Sequence, residues 1–152
     1  MTTRIVYTDL DGTMVGPRGS FWHTAGRDLT ADPAAALLDL HRAGVPLVLV
    51  SGRTFEQVIE AARIFAADGA IAELGATVAW DLERRGLTAD DAVAIGDSVS
   101  DLEMAPAVSR LFITANGASV DGMAALVDAV PNATVTDAAM GEGWAQAVRA
   151  SL

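Results

Sequence analysis

Acidic side chains follow the first apolar run of the chain and could do metal or phosphate chemistry. Asp9 and Asp11 stand one residue apart after Ile5-Val6-Tyr7, and Gly12-Thr13 follows them. If residues 4–8 form a strand, both acids leave its carboxyl end on the same side, where open α/β sheets bind ligands. Neighbouring carboxylates repel unless they share a proton or bind a cation, and Mg²⁺ completed by a phosphate would suit them. The plain alternative is a strand that ends in a solvated acidic turn.

Two further apolar runs also end in polar residues. Ser51-Gly52-Arg53 follows Val45–Val50, and Asp97 comes soon after Ala92–Ile95, with Asp101 four residues later. The carboxyl ends of parallel strands share one edge, so we expect these groups to converge with the first acids. A helix that begins near Asp97 would carry Asp97 and Asp101 on one face. Another helix begins just after Ser51, and its free N–H groups could hold a phosphate.

Strand and helix patterns alternate along the chain. The predicted strands cover residues 4–8, 45–50, 70–72, 92–95, 111–114 and 134–136. Asp32 is the predicted N-cap of the first helix, which ends at Gly44. The alternation predicts an α/β fold: one three-layer domain, residues 1–152, with a mostly parallel sheet and helices on both faces. Gly-rich residues 14–31 predict a short flap after the first strand.

Composition excludes several classes of partner. The net charge is −10 with a pI of about 4.4, which disfavours nucleic acid and anionic membranes. There is no cysteine, and the longest apolar run, Val45–Val50, is too short to span a bilayer. No signal peptide is recognisable, so we expect a soluble, cytoplasmic protein. All ten basic residues are arginine.

Taken in order, these motifs resemble those of the haloacid dehalogenase (HAD) superfamily of phosphatases. Asp9-Leu10-Asp11-Gly12-Thr13 is similar to the first motif and Ser51-Gly52-Arg53 to the second. Gly96-Asp97-Ser98-Val99-Ser100-Asp101 is similar to the fourth. Glu73-Leu74-Gly75-Ala76 resembles a segment of the branch that includes mannosyl-3-phosphoglycerate phosphatase and related sugar-phosphate phosphatases. The resemblance extends over nearly the whole chain and implies a Rossmann-like, HAD-type core.

The resemblance also implies an activity: Mg²⁺-dependent hydrolysis of a small phosphomonoester through an aspartyl-phosphate intermediate. Asp9 would be the nucleophile, and Asp11 the general acid and then the general base. Ser51 and the Gly52 amide would hold the phosphoryl oxygens. The implied metal-binding positions are Asp9, Asp11 (through its backbone carbonyl), Asp97 and Asp101.

The chain departs from that branch in having no room for a cap domain. Only 43 residues separate Arg53 from Asp97, and a helix, a strand and a second helix occupy them. We therefore expect a capless core whose site is open to solvent. The hypothesis is a natural or engineered cap deletion, with its junction near residues 74–78.

The chain also lacks the lysine that forms the family's third motif. Leu74 stands where that lysine would open a helix, so Leu74→Lys should raise any activity. Arg84 and Arg85 lie too far along the helix to replace it, which leaves Arg53 and Arg63. We expect slow, unselective hydrolysis, or else a folded core that binds Mg²⁺ and phosphate without turnover. A receiver-type phosphoacceptor domain is a third alternative, which the Asp-Gly-Thr run disfavours.

Loss of a cap would leave an apolar face uncovered. Phe21, Trp22 and Trp80 are the predicted lining of that face, and a second copy of the chain could cover it as a homo-oligomer. Alternatively, these aromatic side chains pack against the edge of the sheet.

Overall fold

The computed structural model describes residues 2–72 and 76–152. Within these residues, six parallel strands form one sheet in the order β3-β2-β1-β4-β5-β6. The strands are β1 (Ile5–Thr8), β2 (Leu47–Val50), β3 (Gly69–Ile71), β4 (Ala92–Gly96), β5 (Arg110–Ile113) and β6 (Ala133–Val135). Each predicted strand is present with its ends shifted by at most two residues, and the α/β fold class is confirmed.

Helices cover both faces of the sheet. They are α1 (Asp32–Ala43), α2 (Phe55–Ile64), α3 (Ala76–Arg85), α4 (Ala115–Ala118), α5 (Met123–Asp128) and α6 (Met140–Ser151). One core packs Val6 against Leu40 of α1 and Trp144 of α6. The other packs Tyr7 against Val78 of α3. Alternate side chains of β1 thus serve opposite layers, which is why this strand is apolar throughout.

Tyr7 anchors α3 to the central strand. Its buried hydroxyl donates a hydrogen bond to Oδ2 of Asp81 at 2.9 Å. Arg85 donates to the same oxygen at 2.7 Å, one helical turn later. Burial, with the added effect of the Asp81 carboxylate, raises the pKa of Tyr7 well above its usual range. The hydroxyl therefore stays a donor, and the only polar atom of this core side chain is satisfied.

The predicted flap leaves the sheet directly after the first acids. Gly12 turns the chain with a φ of 84°, a conformation that favours glycine. Buried Met14 and Val15 hold the base of the flap against the core. The flap then passes through a short 3₁₀ helix, Pro17–Gly19, and is closed by an antiparallel bridge farther out. Its fixed base keeps the acidic turn in place at the edge of the sheet.

Two local predictions are wrong. Helix α1 begins at Asp32 with Ala31 as its N-cap, because the Asp32 carboxylate pairs with Arg149 of α6 at 2.7 Å. The helix predicted after β4 is a 3₁₀ helix, Val99–Ala107, which contains Pro106. A proline lacks the N–H that continued α-helical bonding would need.

The stretch Glu73-Leu74-Gly75 lies outside the described residues. The predicted deletion junction and the register of the lost lysine rest on that stretch, so both stay predictions. The described residues between Arg53 and Asp97 form α2, β3, α3, a 3₁₀ turn, Ala89–Asp91, and β4. Across residues 2–72 and 76–152, every helix is too short or too polar to cross a membrane.

Candidate active site

The carboxyl ends of β1 and β4 bring three acids together. Asp9, Asp97 and Asp101 each place a carboxylate oxygen within 4.8 Å of the others. They lie in an open cavity of about 300 Å³. The cavity is lined by Asp9, Asp11, Ser51, Gly52, Arg53, Asp97, Ser98, Ser100 and Asp101. The structure thus gathers all six residues that the sequence singled out for chemistry.

Asp101 is held rigidly at the start of the 3₁₀ helix. Its buried Oδ2 accepts hydrogen bonds from the backbone N–H groups of Asp97 and Ser98, both at 2.9 Å. The Ser98 hydroxyl donates to the same oxygen at 2.8 Å. Three donors saturate Oδ2, which leaves Oδ1 as the oxygen available to a cation. Because Asp101 follows Asp97 by four residues, its carboxylate folds back to cap the backbone N–H groups of Asp97 and Ser98. The two acids are therefore held next to each other.

The acids repel one another in the absence of a cation. Burial, followed by the charges of Asp101 and then Asp97, raises the pKa of Asp9 to about 8. Burial and the charge of Asp101 raise the pKa of Asp97 to about 6. The buried Thr13 hydroxyl faces both acids and partly offsets these shifts, yet among the described residues it has no partner at hydrogen-bonding geometry. Such a cluster favours either protons or a cation.

These residues fit Mg²⁺. The donors are hard carboxylate oxygens, which Mg²⁺ and Ca²⁺ prefer over the nitrogen and sulfur ligands of zinc sites. The three carboxylates, of which Asp9 and Asp97 have raised pKa values, supply the negative charge that a divalent cation would neutralise. Asp9, Asp97 and Asp101 would hold the ion.

Ser51 and Gly52 form the opposite wall of the cavity. The Ser51 side chain is buried, and its Oγ accepts the backbone N–H of Arg53 at 3.3 Å, which leaves its own O–H free to donate. Helix α2 begins just beyond, where Thr54 N–H donates to Oε1 of Gln57 at 3.3 Å. This contact is the half of a capping box in which the third helical residue bonds back to the N-cap N–H. A serine hydroxyl and unpaired N–H groups at this turn are suited to an anion.

Asp11 lies apart from the other three acids. Both of its carboxylate oxygens are occupied by Arg53: Nε donates to Oδ2 at 2.6 Å and Nη2 to Oδ1. This pair is partly exposed at the rim of the cavity. From the sequence, Arg53 and Arg63 were both left as candidates for the missing cation. The position of Arg53 two residues after Ser51, at the same edge as Asp11, is a signal that could have favoured it over Arg63.

Asn116 is a site residue that the sequence analysis missed. Its Nδ2 donates to the Gly12 carbonyl at 2.9 Å and to Oδ2 of Asp97 at 3.1 Å. It follows β5 by three residues, at the same edge of the sheet as the acids. The rule that brought the acids together, applied to the next strand, would have identified it.

A larger cavity lies elsewhere on the molecule. It measures about 570 Å³ and opens beside Arg4, Gly44 and Pro46. Those residues precede or begin strands, so this cavity is at the amino edge of the sheet, away from the acids. Chemistry, rather than size, identifies the candidate site.

Comparison with known proteins supports the fold. No protein-family model and no curated protein sequence matches the chain significantly. Among solved structures, 3-deoxy-D-manno-octulosonate 8-phosphate phosphatase from Moraxella catarrhalis, in complex with magnesium, phosphate and 3-deoxy-D-manno-octulosonate, is 18% identical with a TM-score of 0.74. The alignment covers 99% of this chain and 86% of that one.

Two other solved structures agree with it. The cobalt-bound phosphatase of the same kind from Haemophilus influenzae is 22% identical, with a TM-score of 0.69 and coverage of 97% and 84%. A protein from Streptomyces avermitilis assigned to the HAD hydrolase family is 16% identical, with a TM-score of 0.71 and coverage of 99% and 84%. The chain therefore has the Rossmann-like fold of HAD-type phosphatases. Its likeness to the mannosyl-3-phosphoglycerate branch stays a prediction.

Proposed function

We propose that the protein is a Mg²⁺-dependent phosphomonoesterase that works through an aspartyl-phosphate. The observation that carries this proposal is the convergence of Asp9, Asp97 and Asp101 opposite Ser51 and Gly52 in one cavity. Metal-binding acids on one wall and anion-binding donors on the other are what a phosphate ester requires. The fold, shared with solved phosphatases, supports the same reading.

The chain's own residues account for each bond change. A carboxylate oxygen of Asp9 attacks phosphorus, the bond from phosphorus to the ester oxygen breaks, and Asp11 gives that oxygen its proton. Ser51 and the Gly52 amide hold phosphoryl oxygens meanwhile. Water then attacks the phosphoryl group, Asp11 takes its proton, and Asp9 is regenerated with release of phosphate. Bound Mg²⁺ would neutralise the negative charge that builds up during transfer.

Arg53 supplies the positive side chain that the absent lysine would otherwise provide. It is the only basic residue among those lining the cavity, in the part of the chain that the structure describes. A phosphate dianion entering the cavity competes with Asp11 for the guanidinium, whose fork matches phosphate oxygens. Moving Arg53 to phosphate also frees Asp11 to carry a proton. One side chain therefore serves both the empty and the loaded site.

The substrate belongs to the class of small phosphorylated metabolites, for which a phosphorylated sugar is the leading candidate. Two of the structurally similar proteins are named as phosphatases of a sugar phosphate. Without a cap, the open cavity neither excludes water nor selects the leaving group strongly. We therefore expect hydrolysis to be slow and unselective. We place the activity in the cytoplasm, and a second copy of the chain could cover the apolar face.

The test is a steady-state assay with an aryl phosphate and varied Mg²⁺. Wild type should release phosphate only with Mg²⁺, and Asp9→Asn should abolish release. Ser109→Ala is the matched control, because Ser109 hydrogen-bonds to the Ala92 carbonyl well away from the cavity. Turnover that survives Asp9→Asn would exclude Asp9 as the nucleophile.

A core that binds Mg²⁺ and phosphate without turnover is the second candidate. The observation in its favour is that Arg53 hydrogen-bonds to both carboxylate oxygens of Asp11, the proposed general acid, which leaves neither oxygen free to carry a proton. Calorimetry separates the two: binding of Mg²⁺ and phosphate with no product over long incubation identifies the non-catalytic core.

A further inference from the structure

Asn116 joins three parts of the chain that are distant in sequence. Its two amide hydrogens go to the Gly12 carbonyl, in the turn after β1, and to Asp97, after β4. Its Oδ1 accepts the backbone N–H of Met140 at 2.7 Å, where α6 begins. We propose that Asn116 is a positioning residue that fixes Asp97 in the arrangement Mg²⁺ requires. This inference rests on the metal site of the proposed function.

The orientation of the Asn116 amide is determined by its partners. Reversing the amide would set Oδ1 against the Gly12 carbonyl and the Asp97 carboxylate, all three being acceptors. It would also set the amide hydrogens against the N–H of Met140. Both N–H groups and the carbonyl oxygen of the side chain therefore have partners in one orientation only, and Asp97 faces a fixed donor.

Two glycines press the backbone against Asp97 from other sides. A Cβ at Gly117 would lie 2.0 Å from the Asp97 carbonyl oxygen. A Cβ at Gly12 would lie 2.2 Å from Oδ2 of Asp97, the oxygen that accepts from Asn116. Asp97 is thus enclosed by Gly12, Gly117 and the Asn116 amide. Removal of the amide releases a directional contact to the Asp97 carboxylate.

A fixed Asp97 has a consequence for ion selection. Mg²⁺ demands near-ideal octahedral geometry at short distances, whereas Ca²⁺ accepts flexible geometry and longer distances. Groups that hydrogen-bond to metal ligands typically contribute about 10- to 100-fold in metal affinity. Loosening Asp97 should therefore weaken Mg²⁺ binding more than Ca²⁺ binding. A role limited to stability would weaken both equally.

Asn132 provides a matched control. Its Nδ2 also donates to two acceptors, the carbonyls of Ala105 and Val108, each at 2.9 Å, and it is partly buried like Asn116. It does not line the acidic cavity. Asn132→Ala thus removes two donated amide hydrogen bonds, as many as Nδ2 of Asn116 makes, without touching Asp97.

The experiment titrates MgCl₂ and CaCl₂ into wild type, Asn116→Ala and Asn132→Ala by calorimetry. We expect Asn116→Ala to weaken Mg²⁺ about 10-fold or more and to lower the Mg²⁺/Ca²⁺ affinity ratio, with the ratio unchanged in Asn132→Ala. An unchanged ratio in Asn116→Ala, or an equal fall in both variants, overturns the role of Asn116 alone. Wild type that binds neither ion overturns the metal site itself. If Asn116→Ala does not fold, Asn116→Ser is read by the same criteria.

Discussion

Arg53 is the residue whose substitution most directly tests the phosphate site. Arg53→Ala should lower turnover about 10²- to 10³-fold, the usual effect of losing one preorganised donor, and should leave Mg²⁺ affinity within a few-fold. Arg53→Lys should recover part of the rate, because the lysine ammonium keeps the positive charge but cannot make the bidentate contact of the guanidinium. The measurements are steady-state kinetics and Mg²⁺ calorimetry on the same preparations.

Arg63 gives the control for that series. It lies in the last turn of α2, which begins two residues after Arg53, is exposed, and pairs loosely with Glu60 at 3.9 Å. Arg63→Ala should leave both rate and affinity unchanged. Equal losses in the two alanine variants would mean that general surface charge, and not the position of Arg53, attracts the substrate.

Gly117 should not tolerate even a methyl group. The Cβ of Gly117→Ala would overlap the Asp97 carbonyl oxygen, so either the loop after β4 or α4 must move. We expect loss of Mg²⁺ binding together with a lower melting temperature in differential scanning fluorimetry. Gly26→Ala, whose Cβ would meet atoms only at 3.6 Å or more, should match wild type. Normal Mg²⁺ affinity in Gly117→Ala would contradict the close packing around Asp97.

Sequence reasoning located the acids but not their partners. Asp9, Ser51 and Asp97 were predictable because strand ends in a parallel sheet share an edge. The bidentate contact between Arg53 and Asp11 was not, because it depends on how a flexible side chain crosses from one loop to the next. Asn116 had a usable signal in its place after β5, but an amide carries none of the charge that made the acids conspicuous.

At the scale of elements, the contact between β1 and α3 should be measurable as a coupling. Tyr7→Phe removes the hydrogen bond to Asp81 and leaves a mostly buried carboxylate with one donor fewer. We expect a loss of about 1 kcal/mol in the free energy of unfolding. In the Asp81→Ala background the same change should cost far less, since the partner is already gone. Urea unfolding of the four proteins gives the result, and full additivity would deny the interaction.

Helices and strands could be predicted where the hydrophobic periodicity was strong. The prediction failed where a capping side chain or a proline determined the type of helix. The strands followed from apolar runs bounded by glycine or polar residues. The 3₁₀ helix after β4 escaped prediction because Asp101 and Pro106 act at opposite ends of it: one fixes its start by capping, the other interrupts α-helical bonding.

Trp22 and Trp80 are each 54% exposed, whereas Phe21 packs against Phe65 with ring centroids 4.9 Å apart. The predicted uncovered apolar face therefore has at most two of its three aromatics.

At the scale of the whole molecule, the acidic cluster should make stability depend on pH and Mg²⁺. Asp9 has a folded pKa of about 8, raised from 3.8, so the folded state binds its proton more tightly than the unfolded state. Its contribution is therefore present at low pH and lost as pH rises from about 4 to 8. Asp97, with a folded pKa of about 6, acts in the same direction.

Asp9→Asn isolates that effect. Without metal, the variant should melt above wild type, with a gap that widens from pH 5 to pH 8 by about 2–4 °C for each kcal/mol of relief. Added Mg²⁺ should raise the melting temperature of wild type more than that of the variant. Thermal unfolding with and without a chelator provides the readout. A gap that is constant with pH would mean that burial and the neighbouring acids do not raise the pKa of Asp9.

The hydrogen bond from Met140 to Asn116 bears on the order in which the protein becomes functional during synthesis. Every acid of the site precedes residue 102, yet the amide that orients Asp97 is itself oriented by the first residue of the last helix. A ribosome would thus expose the complete set of ligands well before the segment that fixes them has left the exit tunnel. Selective capture of Mg²⁺ should begin only when α6 has packed against α1, because the first residue of α6 orients the Asn116 amide.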